Sequence, residues 1–125
     1  MARPNPVGWF EIYVNDLPRA KAFYEKVLDT QFTPLDSSDE LKMLAFPMER
    51  GTGGAGGAIV WMKGMDAGHN STIVYFVSED CAIEAGRVPG NGGKVFKDKF
   101  SIGEYGFIAL ATDPDGNMFG IHSMK

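Results

Sequence analysis

The sequence predicts an α+β fold built from two βαβββ modules. Three observations carry that reading: a strand-like run leads into a helical period near the start, the same pair of patterns returns after residue 70, and short apolar bursts follow each helix. FEIYVNDLPRA at 10–20 runs parallel to IVYFVSEDCAIEA at 73–85 with an offset of about 63 to 64 residues and one slip, which we read as an internal duplication. The chain is then one domain made of module 7–65 and module 70–123. Either half alone is too short to bury both faces of its sheet, so the halves are expected to pack together or to swap with a second chain.

The first strand is VGWFEIYV at 7–14, rich in aromatic and β-branched residues. Alternation puts Trp9, Glu11 and Tyr13 on one face and Phe10, Ile12 and Val14 on the other. Asn15 and Asp16 offer capping oxygens, Pro18 suits a first helical turn, and Leu17, Ala20, Phe23, Tyr24, Val27 and Leu28 recur at helical spacing, so a helix is expected over 17–28. Strands follow near 31–35, 41–46 and 57–62, separated by turn residues. The glycine-rich GTGGAGG at 51–57 is read as a hairpin loop rather than a phosphate cradle, because no Lys-Ser or Lys-Thr pair follows it and a strand comes next.

The second module opens with STIVYFV at 71–77, then a helix start at SEDCAIEAGRV, ended by Pro89 and the GNGG of 90–93. Strands are expected at 94–97, 105–111 and 117–122, with Asp113-Pro114-Asp115-Gly116 as the turn before the last. KDKFSIGEYGF at 97–107 is read as a loop over a cavity mouth.

Composition narrows the function. With 125 residues, 44% of them hydrophobic, there is material for one core and not for two domains of ordinary size. Sixteen acids against twelve bases give a charge of −4 and no basic patch for a run of phosphates, so nucleic acid is not expected as a partner. The lone Cys81 allows neither an internal disulfide nor a cysteine zinc cluster, and is read as a small buried residue. No run of about 18 apolar residues suggests a membrane span, and no apolar leader is seen, so a cytoplasmic protein is expected.

With these residues in view, the chain resembles the vicinal oxygen chelate superfamily, which includes glyoxalase I, bleomycin-resistance proteins, fosfomycin-resistance proteins and extradiol dioxygenases. The segments that carry the resemblance are the first strand with NDLPRAKAFYEKVL at 15–28, the glycine pair before KVF at 92–96, and DPDGNMFGIHS at 113–123. The resemblance implies curved mixed sheets around a small-molecule cavity, and a homodimer. It also places the family's metal-ligand positions at Trp9, Ile73 and Gly120, with a fourth near Ala58 to Trp61. None of these side chains is an ordinary ligand for a divalent ion, so neither the usual metal nor any other cofactor is expected.

Two residues remain as candidate catalytic groups. If position 120 points into the cavity, Met118 and His122 do too, and Glu11 accompanies Trp9 and Tyr13, which gives a carboxylate and an imidazole for proton transfer. The plainer reading has His122 bonding a backbone group near the C-terminus, or Glu11 pairing with a lysine. Trp9, Tyr13, Trp61, Lys99, Tyr105 and Met118 are the candidate substrate-binding residues, Lys99 as an anchor for an anionic group. Phe46 and Phe107 are expected to share an aromatic pocket with Trp9, Tyr13 and Trp61. His69 is read as exposed. The expected function is metal-free binding of a small, partly aromatic or electrophilic molecule. The alternative is a glyoxalase-like lyase or isomerase using Glu11 and His122, and a third arrangement would hold a metal through Glu11, His122 and Glu104.

Overall fold

The structure is a computed structural model that describes residues 5–35, 37–48, 54–68, 72–112, 114 and 116–125. His69, Ser71, Asp113, Asp115 and residues 51–53 of the glycine-rich segment lie outside the described residues. The chain forms two compact units, Trp9–Thr72 and Met1–Gly8 with Ile73–Lys125. The α+β class and the βαβββ order hold in both.

The first unit contains β1 (Val7–Tyr13, whose first two residues belong to the other unit), α1 (Leu17–Leu28), β2 (Thr33–Pro34), β3 (Leu41–Ala45) and β4 (Gly56–Met62). Its sheet runs β2-β3-β4-β1, with β1 parallel to β4 and the other neighbours antiparallel. Helix α1 begins where its cap requires: the Asp16 carboxylate accepts the Arg19 N–H at 3.1 Å, and Pro18 sits in the first turn. It ends at Asp29, which takes a left-handed conformation with φ 50°. Glu25 then ties the helix to the following segment. Its carboxyl is held below its usual value by the Phe32 N–H first, and also by the Lys21 ammonium one turn away. Phe10, Tyr24 and Phe32 gather around Phe46, with ring centroids 5.5, 6.1 and 4.7 Å from it. Phe23 and Leu28, counted on the sequence among the helix's apolar set, are exposed instead, at the margin of the stripe that faces the sheet.

The second unit contains β5 (Thr72–Val77, entering this unit at Ile73), α2 (Cys81–Arg87), a 3-10 turn at Pro89–Asn91, β6 (Lys94–Ser101), a second 3-10 turn at Gly103–Tyr105, β7 (Phe107–Thr112) and β8 (Met118–Ser123). Its order, β5-β8-β7-β6, repeats that of the first unit, with β5 parallel to β8. The helix caps repeat as well: Asp80, like Asp16, is extended, and its carboxylate accepts the Ala82 N–H at 3.1 Å. Cys81, Ala85, Ala109 and Ile121 form the core beneath α2, with Phe107 and Phe119 packed against them. The buried Cys81 N–H donates to Ser123 Oγ at 2.9 Å, which fixes the helix start on the end of β8.

One expectation is corrected here. Residues 97–101 are not part of a loop but the second half of β6, and only the 3-10 turn separates them from β7. This strand is outermost in its unit's sheet, where lysines are a common solution for an exposed row of backbone groups.

Candidate functional site

Strand β1 arranges the first set of side chains. Trp9 pairs with Gly56, Glu11 with Ala58 and Tyr13 with Val60, so those residues share one face, while Phe10 pairs with Gly57 on the α1 side. Residues two apart on one strand face stand close enough to bond, and all three do: Trp9 Nε1–H donates to Glu11 Oε2 at 3.1 Å, and Tyr13 O–H donates to Glu11 Oε1 at 2.8 Å. Glu11 is half-buried, Tyr13 buried, and the facing Ala58 and Val60 are buried and apolar. Trp9 and Tyr13 thus both donate to the carboxylate, beside buried apolar neighbours. Such a group can accept a hydrogen bond or a proton from a molecule lying on this face.

The same register separates the expected aromatic wall. Trp61 and Phe46 belong to the α1 face, opposite Trp9 and Tyr13. Phe107 is committed within its own unit to the core under α2.

In the second unit, Phe119 and Ile121 pack toward α2, so Met118, Gly120 and His122 point to the other face, as alternation predicts. His122 Nε2 lies 2.5 Å from the Tyr105 carbonyl oxygen; a carbonyl only accepts, so Nε2 carries the hydrogen. This is the backbone bond of the plainer reading, and it brings His122 and Tyr105 together. Lys99 is elsewhere. Its ammonium donates to Asp80 Oδ1 at 2.9 Å and lies 4.9 Å from the centre of the Phe107 ring, on the α2 side. That contact, with the Ala82 N–H next, lowers the Asp80 carboxyl from its usual value, and nothing in the sequence marked this partnership across nineteen positions.

The metal-ligand positions inferred from the resemblance do not fit a divalent ion. Ile73 is buried and apolar, and Gly120 has no side chain. The space a side chain would need at 120 is taken: a Cβ there would stand 2.3 Å from Cδ2 and Cε2 of Tyr75, its partner on β5. Among the described residues no three His, Cys, Asp or Glu side chains gather as a metal site.

A model of the glyoxalase/bleomycin resistance protein/dioxygenase superfamily matches residues 7–121, nearly the whole chain. The chain belongs to this superfamily. No curated protein matches it. Solved structures of the glyoxalase-like fold do. Methylmalonyl-CoA epimerase from Mycobacterium tuberculosis superposes with TM-score 0.69 at 11% identity, over 96% of this chain and 88% of the other. A Streptomyces coelicolor methylmalonyl-CoA epimerase in complex with 2-nitronate-propionyl-CoA gives 0.67 at 12% identity, over 95% and 96%. A hypothetical protein from Bacillus halodurans gives 0.73 at 12% identity, over 98% and 96%. At such identities the likeness is one of fold.

Proposed function

We propose that this superfamily member binds a small, partly aromatic or electrophilic organic molecule on the Trp9–Glu11–Tyr13 face of β1, without the divalent ion of its metal-using relatives, and that it acts as a homodimer. The observation that carries the reading is the Glu11 carboxylate held between Trp9 Nε1–H and Tyr13 O–H beside an apolar surface. An apolar wall with one or two fixed polar groups is the usual composition of a small-molecule site.

The experiment is a thermal-shift screen of thiol adducts, antibiotics and 2-oxo compounds, with each stabilising compound titrated against Trp9→Ala and Glu11→Gln. Trp9→Ala is expected to weaken binding by at least about tenfold. Compounds that bind Trp9→Ala as well as the parent would place the ligand elsewhere and overturn the reading.

A second reading is favoured by the same brace. Glu11 would serve as the base of a lyase or isomerase, its carboxylate taking a proton from carbon next to a carbonyl and returning it in the product. Glu11→Gln distinguishes the two: affinity stays within about tenfold under pure binding, whereas deuterium exchange of a bound 2-oxo compound falls by about a hundredfold or more under catalysis.

A further inference from the structure

We infer that the cleft between α2 and the strands beneath it is a second binding site, for a small apolar monocarboxylate. The cleft has a volume of about 360 Å³ and lies wholly within the unit of residues 73–125 and the N-terminal Pro6. That is within the range of about 300–1,000 Å³ over which proteins hold small organic ligands. Its floor is aromatic. Phe76 and Phe119 meet at 63° with centroids 5.8 Å apart, and both rings remain only half-buried beside the buried Ile121. Val88, at the end of α2, forms part of the wall. Aromatic area left partly in water is the area a ligand would recover.

The polar groups at the rim choose the ligand's charge. Glu84 keeps its charge, but its Oε1 is held by the Ser78 hydroxyl, which donates to it at 2.6 Å, and among the described residues it makes no ion pair with Arg87. The Asn91 amide is occupied too, donating from Nδ2 to the Arg87 carbonyl at 2.8 Å. Among the described residues the Arg87 guanidinium has neither an ion pair nor a hydrogen bond. Its position in the last turn of α2 suits the helix dipole, but that alone requires no apolar cleft beside it. A planar guanidinium presents two parallel N–H donors, the match for one carboxylate. An open guanidinium beside an aromatic floor, with the Glu84 carboxylate held by Ser78, suits an apolar body whose single carboxylate head meets Arg87 and stays clear of Glu84. The site shares no residue with the β1 face, and its test is independent of the function proposed there.

The experiment is a titration of the full chain with phenylacetate, followed by amide proton–nitrogen NMR, with phenylacetamide as the uncharged control. Saturable shifts are expected at Val88, Asn91 and Phe119, with a dissociation constant of about a millimolar, as suits a small ligand on an open cleft. Arg87 is exposed, so Arg87→Gln is expected to fold like the parent. It should weaken phenylacetate by about fivefold or more and leave phenylacetamide unchanged. No saturable shift, equal binding of both probes, indifference to Arg87→Gln, or shifts confined to Trp9–Tyr13 would each overturn the inference.

Discussion

The ring of Tyr75 covers Gly120. The two are partners across β5 and β8, and no side-chain atom fits at position 120 while the ring stays where it is. Gly120→Ala is therefore expected to destabilise the fold by about 1–3 kcal/mol, the usual cost of overpacking a filled site. In a Tyr75→Ala background the same change should cost little or nothing. Urea unfolding of the four proteins in this cycle measures the coupling, and additive losses would show that the ring is not what excludes a side chain.

The Glu11 brace should be visible in stability as well as in binding. Tyr13→Phe removes the hydroxyl that donates at 2.8 Å while keeping the ring, and is expected to cost about 0.5–1.5 kcal/mol in urea unfolding. A cost near zero would mean that water replaces the donor freely.

Gly106 closes the 3-10 turn whose last carbonyl receives the His122 bond. Its φ of 100° is one that L side chains rarely adopt, and a Cβ would stand 2.4 Å from the Ser123 carbonyl oxygen. Gly106→Ala is expected to lose about 1–3 kcal/mol from backbone strain alone, with further loss from the contact. The Tyr105–His122 bond should loosen with it, read as a shift in the His122 ring signals by NMR.

Acid should weaken both helices through two carboxylates. Glu25 and Asp80 titrate below their ordinary values of 4.5 and 3.8 because the folded chain donates hydrogen bonds to their ionised forms. Their stabilisation is complete above those values and is lost as pH falls through the lowered ones. The melting temperature is expected to drop between about pH 5 and pH 2, and to drop less steeply in Glu25→Gln and Asp80→Asn, measured by calorimetry. Identical slopes in parent and variants would refute the assignment.

Cys81 is fully buried at the start of α2. A thiol reagent should leave it untouched in the native state and label it at the rate at which α2 opens, rising with urea. Rapid labelling in buffer would contradict that burial.

Much of this was legible in the chain. Cap, proline and period all agree on residues 17–28 for α1, and the helix has those bounds. The shared face of Trp9, Glu11 and Tyr13 followed from alternation alone. Trp61 and Phe46 do not share that face: alternation orders side chains within one strand, whereas the facing of neighbouring strands depends on register. Trp9 opposite Gly56 puts Trp61 on the far side, and a slip of one residue would have reversed it. Only the second half of β6 reads as a loop, because Lys97, Asp98 and Lys99 resemble solvated connector, a composition that an outer strand also tolerates. The cleft beside Arg87 had no local signal, since it arises where a helix and two strands meet.

A carboxylate steadied by the residues two places before and after it needs no loop to aim it. Its bearing is written into seven consecutive residues of backbone, Val7–Tyr13. With a guest on this face, as we propose, descendants of this chain would be at liberty to swap whatever lies opposite while the acceptor stays on station.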